Sequence, residues 1–114
     1  MNFGLSNTII EQICSVFSKH PGVEKVIIYG SRAKGNYKNG SDIDIALIGG
    51  EDLTVDVMFM IIEEIDDLFL PYTFDISLLR YINDPDVLDH IKRVGLVFYE
   101  KSKNSTRNFS TFVE

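Results

Sequence analysis

Residues 23–48 read VEKVIIYGSRAKGNYKNGSDIDIALI, and the fold turns on this stretch. Val23 to Tyr29 is β-branched and aromatic, the composition of a strand, and it stops at Gly30. Residues 30–41 hold three glycines, two asparagines and three basic residues, which predicts a loop with room for one helical turn after Ser31. Asp42 to Ile48 alternates polar and apolar residues at its start, the mark of a second strand with two unlike faces, and Gly49-Gly50 ends it.

Upstream, Thr8-Ile9-Ile10-Glu11 has the form of a capping box, and Ile9, Ile10, Ile13, Cys14, Val16 and Phe17 recur at helical spacing until Pro21-Gly22. Downstream, from Thr54 to about Leu68, Val57, Met58, Ile61, Ile62, Ile65 and Leu68 form an apolar stripe opposed by Glu63, Glu64, Asp66 and Asp67. A second long helix is expected there, broken by Pro71. Thr73 to Leu79 predicts a third strand with Asp75 and Ser77 on one face. Asp84-Pro85 supplies an N-cap followed by proline at the first helical position, for a helix through Leu88 and Ile91 to Gly95. Leu96 to Tyr99 reads as a last short strand. The expected fold class is α+β, a small mixed sheet of three to four strands flanked by helices.

A chain of 114 residues, 45% of them hydrophobic, suits one core rather than two. Residues 1–100 are expected to form that domain, and 101–114 a polar, mobile tail apart from Phe109, Phe112 and Val113. The longest apolar-leaning stretch, Val57 to Ile62, falls far short of the ~20 residues of a membrane span. The opening Met-Asn-Phe-Gly has neither a basic start nor an apolar run, so a cytoplasmic location is expected. The net charge of −6 argues against a broad surface for duplex nucleic acid, which needs lysine and arginine to neutralise phosphates. Cys14 sits among Ile10, Ile13 and Phe17 and is assigned to packing. His20 falls at a helix C-terminus and His90 on a polar helix face, and neither calls for a catalytic role. The acidic run Glu63, Glu64, Asp66 and Asp67 is a solvated face, or one suited to a basic partner.

The chemistry concentrates on three aspartates. On a strand, Asp42 and Asp44 project to the same side ~6.6 Å apart. Two carboxylates so placed repel, and a divalent cation removes the conflict; oxygen-only ligands favour a hard ion such as Mg²⁺. Gly30 ends one strand and Asp42 begins the next, so loop and carboxylates meet only if these strands are antiparallel. Asp75 joins them if the third strand runs parallel to the second, which the intervening helix permits. Three carboxylates then suit two ions ~3.5–4 Å apart and in-line displacement at phosphorus. Gly30 allows close backbone approach to a phosphate, Ser31 offers a hydroxyl and an amide, and Arg32 and Lys34 add positive charge to the loop. The leaving pyrophosphate would lie on this side.

Tyr29-Gly30-Ser31-Arg32-Ala33-Lys34-Gly35 and Ser41-Asp42-Ile43-Asp44-Ile45 together resemble the DNA polymerase beta-type nucleotidyltransferase superfamily, and within it the minimal nucleotidyltransferases, or MNT proteins. The resemblance runs from the first helix through Arg93 to Glu100. The family motif, a Gly-Ser pair, ten residues and Asp-x-Asp, falls on Gly30, Ser31, Asp42 and Asp44, with Asp75 at the third acidic position and Ser41 beside the nucleotide. The resemblance implies Asp42, Asp44 and Asp75 as catalytic and metal-binding residues, and Gly30, Ser31, Arg32, Lys34 and Ser41 as the nucleotide contacts. It also implies two Mg²⁺ ions, ATP or another NTP as substrate, and an all-helical HEPN partner toxin in a hetero-oligomer, although a homo-oligomer is also compatible. The implied activity is transfer of AMP to a hydroxyl of that partner, as its antitoxin. Neutralisation of the partner by complex formation alone is the alternative, and transfer to a small hydroxylated molecule such as an aminoglycoside ranks below both. Beside larger relatives, which use an extra helical domain to hold base or acceptor, this sequence is expected to offer the nucleotidyltransferase domain alone.

Overall fold

The computed structural model describes residues 3–101. Helix α1 (Asn7–Ser18) leads into strand β1 (Val23–Tyr29), the one-turn helix α2 (Ser31–Lys34) and strand β2 (Ile43–Gly49). Helix α3 (Val55–Asp66) precedes strand β3 (Phe74–Leu78) and a 3₁₀ turn over Leu79–Tyr81, after which come helix α4 (Pro85–Val94) and strand β4 (Leu96–Glu100). The strands form one mixed sheet in the order β3-β2-β1-β4. β1 is antiparallel to both β2 and β4, whereas β2 and β3 are parallel and joined through α3. The expected mixed sheet and both required strand directions are thus present.

The alternation along β1 and β2 divides the sheet into two faces. Val26, Ile28, Ile43, Ile45 and Leu47 point to one side, where they bury against Ile13, Val16 and Phe17 of α1 and Ile61 and Ile65 of α3. Ile27, Tyr29 and Ala46 point to the other, against Ile91 of α4. The ends of α1 and α3 are tied together by His20 Nε2 and Glu64 Oε1 at 3.0 Å, an ion pair when the imidazole is protonated. Asp84 caps α4 as expected, its side chain accepting from the Asp86 amide at 2.9 Å, with Pro85 at the first turn.

One expected boundary moves. The N-cap of α1 is Ser6, whose Oγ accepts from the Ile9 amide at 3.2 Å, and Thr8 lies inside the helix. Leu5, fully buried just before the cap, and Ile10 in the first turn join the same core, a hydrophobic staple that starts the helix two residues before the Thr8–Glu11 pattern. Cys14 is half-buried, its thiol donating weakly to the Phe98 carbonyl at 3.8 Å, and burial raises its pKa, which suits packing. Met58 packs against the core while Met60 is exposed. Lys101 still belongs to the fold, its amide donating to the Glu24 carbonyl and its Nζ to the Pro21 carbonyl. The rest of the expected tail, 102–114, lies outside the described residues. Among the described residues no helix is long and apolar enough to cross a membrane.

Candidate functional site

Two strand registers assemble the site. Tyr29 lies opposite Asp44 in the antiparallel pair, and Asp44 lies opposite Asp75 in the parallel pair. Residues paired across a ladder share a face, so Tyr29, Asp44 and Asp75 form one row across β1, β2 and β3. Their neighbours Ile43 and Ile45 point into the α1/α3 core, which puts the row on the opposite face. Helix α4 packs against β1 on that face, and its Ile91 joins Ala46 of β2 there. Asp75 is exposed and Asp44 half-buried. Asp42, exposed one residue before β2 begins, acts electrostatically on Asp44.

Burial first, then the charges of Asp75 and Asp42, push the Asp44 carboxyl above the usual carboxylate range; His90 acts in the opposite direction. The Tyr29 phenol is pushed up to about 12, again by burial first and then by Asp75 and Asp44. Both shifts report negative charge gathered on a partly desolvated surface without enough positive charge to balance it. The donor set consists only of carboxylate oxygens, which fits a hard divalent cation. Among the described residues no three acidic, histidine or cysteine side chains close on a single point by themselves.

Gly30 follows Tyr29 with φ +76° and ψ −158°, a conformation that disfavours any side chain. A Cβ placed there would collide with Asp44 Oδ2 and stand 3.2 Å from its Cγ. The glycine therefore lets the second strand's carboxylate reach the loop. The loop closes at once: the Lys34 amide donates to the Gly30 carbonyl at 3.1 Å and the Gly35 amide to the Ser31 carbonyl at 2.9 Å, with Gly35 left-handed at φ +88°. Ser31 is half-buried at the start of that turn and Lys34 is exposed.

Arg32 and Ser41 are placed differently from the other loop residues. Arg32 is 3% exposed, its Nε donating to the Ser41 carbonyl at 3.1 Å and its Nη1 to the Phe3 carbonyl at 3.0 Å. Its guanidinium also lies over the rings of Tyr37 and Tyr72, 5.2 and 5.1 Å from their centroids. The expected phosphate contact is not where this side chain points; it ties the Gly30–Ser31 turn to the residue before Asp42. A planar, five-donor cation suits that task. The Ser41 hydroxyl accepts from the Lys38 amide at 2.8 Å and so closes the turn that delivers Asp42. Gly30, Asp44, Asp75 and Asp42 are brought together, Ser31 and Lys34 border them, and Arg32 and Ser41 brace the loop.

His90, given no catalytic role from the sequence, lies beside the row. Its ring stands edge-on to Tyr29 with centroids 6.3 Å apart, and its charge reaches Asp44. The polar face of α4 on which it falls is thus turned partly toward the acidic row. The only sequence signal was helical spacing: His90 adjoins Ile91, the residue that docks α4 on the sheet.

Comparison with known proteins follows the geometry. Residues 11–104 match the family model described as Polymerase beta, Nucleotidyltransferase. No curated protein is similar enough in sequence to match. Among solved structures, a toxin–antitoxin crystal structure with AMP-PNP shares the fold at TM-score 0.64 and 17% identity, over 81% of this chain and 73% of that one. A tri-AMPylated Shewanella oneidensis HEPN toxin in complex with MNT antitoxin gives TM-score 0.62 and 14% identity, over 85% and 74% of the two chains. The toxin–antitoxin MntA-HepT gives 0.61 and 14%, over 84% and 74%.

Proposed function

The chain belongs to the polymerase beta nucleotidyltransferase family, and on that premise we propose that it transfers AMP from ATP to a hydroxyl of a partner protein, a HEPN-type toxin, and thereby acts as its antitoxin. The observation that carries the proposal is the row Tyr29–Asp44–Asp75 with Asp42 beside it and Gly30 shaped around Asp44. The AMP-PNP and tri-AMPylated toxin structures of similar fold favour adenylyl transfer within a toxin–antitoxin pair. Asp42, Asp44 and Asp75 would hold Mg²⁺, which supplies charge neutralisation at the phosphates and lowers the pKa of an attacking hydroxyl.

The chain's own contribution is placement. Asp44, at the centre of the row and against Gly30, would be the central carboxylate for the cation. Asp75, exposed at the far end, faces the side from which an acceptor hydroxyl arrives. The Gly30–Ser31 turn and Lys34 border the opposite side, where the β and γ phosphates leave. On this reading acceptor and leaving group would take opposite ends of one row, as in-line displacement requires. Incubation with labelled ATP, Mg²⁺ and a HEPN-type protein as the candidate partner tests the proposal. Label is expected on the partner, and its persistence in the Asp42→Asn, Asp44→Asn double variant would rule the site out.

Neutralisation by binding alone is favoured by a different observation: Phe59 and Met60 of α3 are 59% and 46% exposed, and Phe69 is 88% exposed. Exposed aromatics of this kind suit a partner interface. A variant lacking all three aspartates that still forms the complex and still protects cells would show that binding suffices.

A further inference from the structure

Strand β3 (Phe74–Leu78), which carries Asp75, is an edge of the sheet, and its outer side is open. The Ile43 amide donates to the Thr73 carbonyl at 2.9 Å, so the alternation of a parallel ladder turns the backbone groups of Asp75 and Ser77 toward β2 and those of Phe74 and Ile76 outward. The outward N–H and C=O groups meet no partner among the described residues. Phe74 and Ile76 are only half-buried, although their ladder partners Ile43 and Ile45 are fully buried. A cleft of about 280 Å³ beside Ile65 and Phe74 and another of about 200 Å³ beside Met58 and Tyr81 both border Ile76. Natural edges are commonly blunted by lysine, proline or a bulge. The pairing of β4, at the other edge, shifts register between Val26 and Ile27 and carries the Lys25–Glu100 ion pair; β3 has no lysine, no proline and no shift. Charge selects what can pair there. Residues 51–79, which include α3 and β3, hold eight acidic residues and no lysine, arginine or histidine. Arg80, the next cation, already donates to the Gly50 and Leu53 carbonyls. A second copy of β3 would set these negative charges against one another, whereas a segment carrying Lys or Arg complements them.

We infer that an extended basic segment of the acceptor protein adds as a further strand along β3, and that this pairing presents the acceptor hydroxyl to the site. The inference rests on the nucleotidyltransferase reading and deepens it by naming how the acceptor docks. Main-chain hydrogen bonds to Phe74 and Ile76 fix the register. A residue of the added strand opposite Asp75 shares its face, so a hydroxyl there extends the row Tyr29–Asp44–Asp75, while its two neighbours turn to the other face and cover Phe74 and Ile76. The hydroxyl oxygen bonds to the α-phosphorus of ATP as the bond from that phosphorus to the oxygen bridging to the β-phosphate breaks. Pyrophosphate leaves with that electron pair, and the hydroxyl proton passes to a carboxylate of the row.

The test uses the full chain, Mg²⁺, labelled ATP and the peptide Lys-Lys-Val-Xaa-Val-Lys-Lys at millimolar concentration, with Ser or Tyr at its centre. The peptide is expected to slow hydrogen exchange at the Phe74 and Ile76 amides about tenfold or more, and to take label on its central hydroxyl. N-methylation of its three central residues leaves the protein untouched and should abolish both effects, and glutamate in place of the four lysines should do the same. Unchanged exchange at both amides, or equal protection by the N-methylated peptide, overturns the inference. Protection without label on either peptide, in a chain that binds AMP-PNP by calorimetry, overturns the role of the edge in presenting the acceptor. Failure of the chain to bind AMP-PNP would instead overturn the nucleotidyltransferase reading beneath it.

Discussion

Gly30 is the residue around which Asp44 is placed: a methyl group on its Cα would collide with the Asp44 carboxylate, 3.2 Å from Cγ, in a backbone conformation of φ +76°. Gly30→Ala therefore suffers twice, from the strained φ and from displacement of the carboxylate. A loss of ~2–3 kcal/mol in stability is expected, measured by urea unfolding, with at least a hundredfold drop in label transfer. Full activity in a folded Gly30→Ala variant would show that Asp44 need not sit against the loop.

The raised pKa of Asp44 has a consequence for stability. Between the ordinary carboxylate pKa and the raised one, the folded state binds more protons than the unfolded state, so stability falls as pH rises through that window. Above it, the ionised carboxylate opposes folding. Asp44→Asn should therefore raise the melting temperature of the metal-free chain at pH 7 and flatten its pH dependence in the acidic range, while abolishing transfer. Scanning calorimetry from pH 4 to 7 checks the sign; a lower melting temperature at pH 7 would contradict it.

Mg²⁺ should act on the same imbalance. The wild type is expected to gain ~2.7 kcal/mol when the ion is present at a hundred times its dissociation constant. The gain should vanish in Asp42→Asn, Asp44→Asn. Thermal melts in Mg²⁺ and in EDTA give the comparison, and an equal shift in both proteins would place the ion elsewhere.

Arg32 bears on loop architecture rather than on charge. Arg32→Met removes both bonds to the Ser41 and Phe3 carbonyls and should cost ~2–4 kcal/mol. Arg32→Lys keeps the charge but cannot span two carbonyls while stacked between Tyr37 and Tyr72, so it should also lose stability. Denaturant midpoints for the pair distinguish this from a phosphate contact, for which lysine would keep the wild-type midpoint.

Phe69 holds a left-handed conformation, φ 53°, just past α3, with 88% of its surface exposed. A side chain there costs backbone energy and gains little packing within the chain. Phe69→Gly should stabilise the isolated chain by ~1 kcal/mol. If the aromatic serves a partner, the same change should weaken the complex, and a pull-down with the candidate HEPN-type partner reads that out.

Much of the fold was legible because its signals are local. Alternation at Asp42–Ile45, the stripe from Val57 to Ile65 and the Asp84-Pro85 cap each depend on residues within a few positions, where backbone geometry dictates side-chain direction. The start of α1 was not legible from Thr8–Glu11, because buried Leu5 and the Ser6 cap set it through contacts with the core. The loop cations looked alike in sequence, yet Arg32 is buried and Lys34 exposed; only the approach of Phe3, Tyr37 and Tyr72 separates them.

By itself the sequence determined the elements, the glycine turn after β1 and the pairing of Asp42 with Asp44, since each follows from the period of a strand or the freedom of a glycine. Tertiary structure alone decided that Tyr29, Asp44 and Asp75 share one row, that Gly30 yields its side-chain space to Asp44, and that His90 faces the row from α4. Those relations depend on strand register and helix docking between segments up to about sixty residues apart, where a shift of one residue turns every side chain to the other face.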